Sequence, residues 1–213
     1  MNLKNKRILI TAGPTWVPLD SVRVISNRAT GETGILLSEK FSKLGAKVTL
    51  VLGPITHGKF NKKVKIIGFK FFEELRAVLR KELNSRTYDC IIHSAAVSDF
   101  RPAHSLKGKL SSDKPYNLKL VKLPKIACDI RRLAPLAQLI LFKLETGVSD
   151  VELLLRARNT LVKHGAGLIV ANKTAPAYKA YILDKDKIYS RLNSKKDMVK
   201  NLVALVKEGL LWK

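Results

Sequence analysis

At 213 residues, 46% of them hydrophobic, the chain has enough apolar material for one sizeable core and lacks the composition of a disordered or fibrous polypeptide. A formal charge of +23 raises nucleic acid as a partner, but the basic residues are spread through nearly every segment without the interleaved aromatics of a base-stacking platform, which disfavours polynucleotide binding. Two cysteines, Cys90 and Cys128, exclude a disulfide framework and any paired metal-ligand spacing and fit a reducing compartment.

The chain starts with lysines before a short apolar stretch that Gly13-Pro14 ends after about five residues, too few for the apolar segment of a secretory signal. No run approaches the ~20 apolar residues of a membrane-spanning helix. A soluble cytoplasmic protein with a single domain over 1–213 is expected.

Strand-like and helix-like segments then alternate. Residues 8–11 read as a buried strand that runs into a long loop reaching Gly31. Residues 35–44 place Leu37, Phe41 and Leu44 on one helical face, closed by Gly45, and 46–52 form the next strand. A helical stripe of Phe72, Leu75, Leu79 and Leu83 occupies 71–83 and is followed by a strand over 88–93. From 102 to 115 the chain is polar and reads as a flap, with a short strand at 117–121 behind it. A helix at 126–133, a strand at 138–142, a helix at 150–163 with an acidic start and basic end, and a strand at 168–171 continue the rhythm. Segments 178–183 and 188–192 flank Asp184-Lys185-Asp186-Lys187 as a hairpin, and 198–211 is a closing helix. The expected fold is α/β: a three-layer, Rossmann-like, mostly parallel sheet with helices on both faces and an added antiparallel hairpin.

Three strand-to-loop junctions carry the chemistry. Ile91-Ile92-His93 ends in Ser94-Ala95-Ala96-Val97-Ser98-Asp99-Phe100-Arg101-Pro102, where small residues admit a ligand to the backbone, Asp99 can accept from sugar hydroxyls or face a metal, and Arg101 can pair with phosphate. The first strand runs into Gly13-Pro14-Thr15, and Asn27 to Gly31 precede a helix whose free N–H groups favour an anion. Asn27 also reads as a plain helix N-cap. Neither the Gly-x-Gly-x-x-Gly nor the P-loop fingerprint occurs. His93 and His164 have no Ser or Cys partner at motif spacing, and Asp20, Asp99 and Glu145 form no recognisable acid/base pair. Phosphoryl or nucleotidyl transfer, in which positioning and charge stabilisation dominate, fits such a site better than covalent hydrolysis.

Taken together, Ile10-Thr11-Ala12-Gly13-Pro14-Thr15, Leu19-Asp20-Ser21-Val22-Arg23-Val24-Ile25-Ser26-Asn27, Thr30-Gly31, His93 through Pro102, Lys109-Leu110-Ser111-Ser112, Leu123-Pro124-Lys125-Ile126, Phe142-Lys143-Leu144-Glu145-Thr146 and Val170-Ala171-Asn172 resemble the phosphopantothenate-cysteine ligases, in the monofunctional form of the ligase domain of the coenzyme A biosynthesis bifunctional protein. The resemblance spans nearly the whole chain. It implies ligation of 4′-phosphopantothenate to L-cysteine through an acyl-nucleotidylate, with Mg²⁺ and CTP or ATP as co-substrate. CTP is favoured on the compact length, whereas the wording around Phe142 and Arg156-Ala157-Arg158-Asn159 is closer to the eukaryotic, ATP-using type.

By that resemblance Asn27 holds the acyl group and the intermediate, with Gly13, Thr15, Arg28, Ala29, Thr30 and Gly31 around the substrate. Asp99, backed by Ser94, Ala95 and Ala96, holds the nucleotide together with Leu123, Pro124, Lys125, Ile126, Phe142 and Lys163. Lys109 contacts the triphosphate and stabilises charge during activation, with Lys107 as its alternative. The metal ligands are left open. This chain has Leu-Pro-Lys where the common bacterial form has Asn-Pro-Asp, and Thr160 and His164 where that form has helix lysines. The resemblance further implies no flavin, the ligase reaction alone, and a homodimer served by the 178–192 hairpin or the 117–121 strand. A degenerate nucleotide-binding homologue and a basic nucleic-acid-binding protein are the alternatives. A nicotinamide oxidoreductase is excluded by the missing glycine spacing and by a second strand that ends in Leu52-Gly53-Pro54 without an acid.

Overall fold

A computed structural model describes residues 3–55, 60–104 and 108–209. Its elements are β1 (Arg7–Ala12), β2 (Trp16–Pro18), β3 (Val24–Ser26), α1 (Glu32–Lys43), β4 (Lys47–Leu52), β5 (Lys65–Gly68), α2 (Phe72–Ser85), β6 (Cys90–His93), β7 (Phe100–Pro102), β8 (Leu120–Lys122), α3 (Ile126–Leu133), β9 (Gln138–Leu144), α4 (Asp150–Lys163), β10 (Leu168–Lys173), β11 (Lys179–Leu183), β12 (Ile188–Leu192) and α5 (Lys195–Lys207). Lys107 and the end of the expected closing helix, 210–211, lie outside the described residues.

The central sheet has eight strands in the order β12-β11-β10-β9-β6-β1-β4-β5. The six from β10 to β5 pair in parallel, and β11 and β12 add an antiparallel edge. The reason is legible in β1: successive side chains of a strand face opposite ways, and Arg-Ile-Leu-Ile-Thr-Ala is apolar on both sides. Ile8, Ile10 and Ala12 pack on one face with Leu37 and Phe41 of α1 and Met198, Leu202 and Val206 of α5. Leu9 joins the other face, covered by Leu75 and Leu79 of α2, Ile130 of α3, and Leu153, Ala157 and Leu161 of α4. At roughly 1.5–3 kcal/mol for each fully buried aliphatic or aromatic side chain, these two layers fix the sheet between its helices.

Two small antiparallel ribbons, β2–β3 and β7–β8, stand apart from the central sheet. The sequence pattern read the first ribbon as loop, and it also missed β5. Their strands are three or four residues long and largely exposed, so neither burial alternation nor length marks them. The 178–192 hairpin forms as expected, but as the edge of the main sheet: residues 169–173 of β10 pair with β11.

Candidate functional site

The order of the sheet reverses at β1, whose neighbours are β4 on one side and β6 on the other. In an open α/β sheet the crevice at such a reversal, beyond the carboxyl ends of the strands, is where ligands bind. Here the chain beyond β1 and the chain beyond β6 continue side by side. Ser94 N donates to Thr11 O at 3.1 Å, Ala96 N to Gly13 O at 2.9 Å and Thr15 N to Ala96 O at 3.3 Å. The third loop closes onto them: Asn27 Nδ2 donates to the carbonyls of Ala96 at 3.0 Å and Val97 at 3.2 Å, and Ser26 Oγ to that of Thr15 at 3.1 Å. The three junctions singled out in the sequence therefore form one surface.

Within it the residues divide by what their polar atoms already do. The Thr15 hydroxyl is fully buried; it accepts from Ser98 N at 2.8 Å and donates to Ser98 Oγ at 3.1 Å. The Ser94 hydroxyl donates to Thr11 O at 2.7 Å. These two side chains stitch loops together, whereas Asn27, Arg28 and Thr30 are exposed, and Asn27 Oδ1 has no hydrogen-bond partner among the described residues. The N-terminus of α1 approaches the strand ends closely because Gly34 has no side chain: a Cβ there would stand 2.4 Å from Ala12 Cβ. Gly53, beyond β4, is equally tight, since its Cβ would meet Pro14 O at 2.2 Å.

Next to this surface, between the ends of β6 and β9 and the starts of α3 and the end of α4, lies a cavity of about 260 Å³. It gathers Ala95, Asp99, Pro124, Lys125, Ile126, Phe142 and Lys163 from separate segments of the expected nucleotide set, and adds His93, Lys143, Thr160 and His164. Leu123 faces instead a second, apolar cavity with Trp16, Phe72 and Arg101. Lys125 Nζ donates to Asp99 Oδ1 at 2.6 Å. Lys143 is drawn toward Glu145, 3.0 Å away, which Arg156 also holds at 2.8 Å; despite the cost of burial, these cations keep the Glu145 carboxyl below its usual range. Burial, followed by the neighbouring His164, lowers the pKa of His93 to about 4, and its Nδ1 lies 2.8 Å from Thr11 Oγ1. His93 and Lys143 were not read as site residues, although both flank motif positions that were.

Asp20 takes a role the sequence reading did not give it. Its carboxylate accepts from the amides of Val22 at 2.8 Å, Arg23 at 2.6 Å and Leu110 at 3.1 Å, and from Arg23 Nη1 at 3.2 Å. Ser21 N donates to Gly108 O at 3.1 Å. The tip of the β2–β3 ribbon thus clasps the flap on both sides of Lys109, which is exposed. The Val22 amide foremost, with those of Leu110 and Arg23, holds the Asp20 carboxyl below the ordinary value. The Asp-x-x-Arg spacing is a local turn signal; its bond to a residue 90 positions away is not.

Among the described residues no group of three His, Cys, Asp or Glu is arranged to hold a metal, and no helix is long and apolar enough to cross a membrane. Asp99 is the carboxylate bordering the cavity.

Residues 3–210 match the family model described as DNA/pantothenate metabolism flavoprotein C-terminal domain. The chain is 36% identical over 171 residues to the coenzyme A biosynthesis bifunctional protein CoaBC of Thermococcus kodakarensis, covering 80% of this chain and 42% of that protein. It is 34% identical over 217 residues to the protein of that name from Methanocaldococcus jannaschii, covering 97% and 52%. The chain spans about half the length of these curated relatives. Among solved structures, the DNA/pantothenate metabolism flavoprotein of Streptococcus pneumoniae superposes with a TM-score of 0.85 at 26% identity, over 95% of this chain and 99% of that one.

Proposed function

Since the chain belongs to the family of the DNA/pantothenate metabolism flavoprotein C-terminal domain, we propose that it is a phosphopantothenate-cysteine ligase of coenzyme A biosynthesis. The observation that carries this reading is the cavity at the strand ends, where Ala95, Asp99, Lys125, Phe142 and Lys163 meet beside the surface bearing Asn27. Binding a nucleotide next to an acyl substrate is what activation of a carboxylate requires.

In this reading a carboxylate oxygen of 4′-phosphopantothenate attacks the α-phosphorus of the nucleotide and pyrophosphate leaves. The amine of L-cysteine then attacks the acyl carbon, the nucleoside monophosphate departs, and the amide forms. Mg²⁺, carried in with the triphosphate, offsets its charge. Lys109, on the clasped flap, stabilises the charge that develops on the triphosphate, and Lys143 and Lys163 line the wall with positive charge. Asn27 Oδ1 faces the acyl group while Nδ2 keeps the loop tied to Ala96 and Val97. CTP is the nucleotide in this reading, with ATP its competitor.

A second copy of the chain completes the unit. Val22, 68% exposed, with Val24 and Ile25 on one ribbon, and Phe100 and Leu120 at 47% each on the other, form the apolar surface that supports a homodimer. In this reading the dimer contact lies on the ribbons, which include residue 120 of the 117–121 segment, and the 178–192 hairpin, the edge of the central sheet, is the alternative.

The test is pyrophosphate release by the purified protein with Mg²⁺, 4′-phosphopantothenate and L-cysteine, run separately with CTP and with ATP. Release that requires phosphopantothenate supports the ligase; release with neither nucleotide refutes it and leaves a nucleotide-binding homologue without turnover.

A further inference from the structure

Behind one residue of the cavity wall, an exposed thiol meets an imidazole. Cys128, in the first turn of α3, is exposed, and its Sγ lies 3.4 Å from Nδ1 of His164. The two residues are 36 positions apart, so sequence spacing does not reveal the pair. His164 is only 8% exposed, lines the cavity, and makes no hydrogen bond through its other ring nitrogen among the described residues. Burial, then Lys163 and Lys125 close by, disfavour the charged ring, so His164 rests neutral with Nδ1 placed to accept a hydrogen bond from the thiol. Lys163 and Lys125, both in the cavity lining beside His164, attract carboxylates. The other cysteine, Cys90, is the contrast: it is wholly buried in the central sheet, and burial pushes its thiol up.

We propose that Cys128 and His164 form a thiol–disulfide exchange site beside this cavity, and that its partner is a small disulfide bearing carboxylates, the disulfide form of L-cysteine. The Cys128 proton passes to His164 and the thiolate attacks one sulfur of the disulfide. The S–S bond of the small molecule breaks as a bond from Cys128 Sγ to that sulfur forms. The departing cysteine thiolate takes the proton back from the ring. The Cys128 sulfur formally gives up the one electron that the released sulfur gains, so no other oxidant is needed. The attached half-cystine stands beside His164 at the cavity wall and obstructs a nucleotide. Naming the amino acid and the nucleotide rests on the ligase reading; the reactivity of the pair does not.

The experiment exposes the full chain to cystine near neutral pH and follows the adduct by intact mass and peptide mapping, with the urea-unfolded chain and His164→Asn as references and with Mg²⁺-CTP added in a parallel arm. One half-cystine, on Cys128 and removed by dithiothreitol, is expected to form about tenfold faster in the folded chain than in either reference, and more slowly with nucleotide. Equal rates in the folded and unfolded chain overturn the proposal without recourse to any variant, as does equal labelling of Cys90. Acceleration without protection by nucleotide supports the exchange site and counts against the nucleotide assignment of the cavity.

Discussion

Replacing Gly53 by alanine tests how the loop after β1 is held. The added Cβ would stand 2.2 Å from Pro14 O and 3.0 and 3.1 Å from the Phe69 ring, whereas ordinary contact begins at 3.4 Å, so the oxygen must retreat by about 1.2 Å. That oxygen belongs to the backbone between Gly13 and Thr15, which is bonded to Ala96 on its far side, and Phe69 is itself buried at 4%. No flexible side chain absorbs the clash. Forcing an extra methyl into a packed site costs about 1–3 kcal/mol, and stiffening the unfolded chain returns about 0.4–1 kcal/mol. A net loss of about 1–2 kcal/mol follows, or a Tm lower by about 2–8 °C for a chain of this size. Gly68→Ala is the control, because nothing lies within 4 Å of its added Cβ; its stability should hold or rise slightly. Differential scanning calorimetry and nucleotide-dependent pyrophosphate release, measured on both variants, check the argument. If Gly53→Ala is as stable and active as Gly68→Ala, the close approach does not position the loop.

Asn27→Asp sets carboxylate oxygens against the carbonyls of Ala96 and Val97; consumption of the acyl intermediate should fall by about 10²-fold with nucleotide affinity much less affected, and equal loss of both in single-turnover and binding measurements would count against its role. Lys109→Gln should slow the activation step by about 10²-fold, and unchanged pyrophosphate release would sink that assignment. His93 titrates near 4 in the folded chain instead of 6.5, so the unfolded chain takes up the proton first as pH falls. The stability this gives is complete above about 6.5, erodes between 6.5 and 4 and is gone below 4, a loss of about 3 kcal/mol; denaturant melts across that range should show the slope, and His93→Gln should flatten it. Val22→Asp with Leu120→Asp should convert a dimer to a monomer by light scattering without lowering the helix content; a dimer that persists would place the contact elsewhere.

Apart from β5, the strands of the central sheet were legible because they are long enough and apolar enough to carry their own signal, and the helical stripe of Phe72, Leu75, Leu79 and Leu83 is buried as its spacing requires. The helices expected at 126–133 and 150–163 form over those residues. The β2–β3 ribbon was not legible, since Val24–Ser26 is exposed throughout and pairs only because its partner is close in space, whereas the strand expected at 117–121 overlaps β8. The site divides the same way. Loop positions with small or polar residues drew attention to Asn27 and Asp99, and the resemblance to Lys125, whereas the bonds of Asp20 and of the Cys128–His164 pair join distant segments that no local pattern encodes.

The clasp at Asp20 has a kinetic side. Between β7 and β8 the chain would otherwise search as one loop from 103 to 119; bonds at Gly108 and Leu110 divide it into two shorter ones. Loop entropy grows with the logarithm of length, so part of the ordering that the proposed ligase needs to bring Lys109 toward a phosphate is met before a ligand arrives. The amine behaves as a reagent on a short tether, at high effective concentration over one patch of surface.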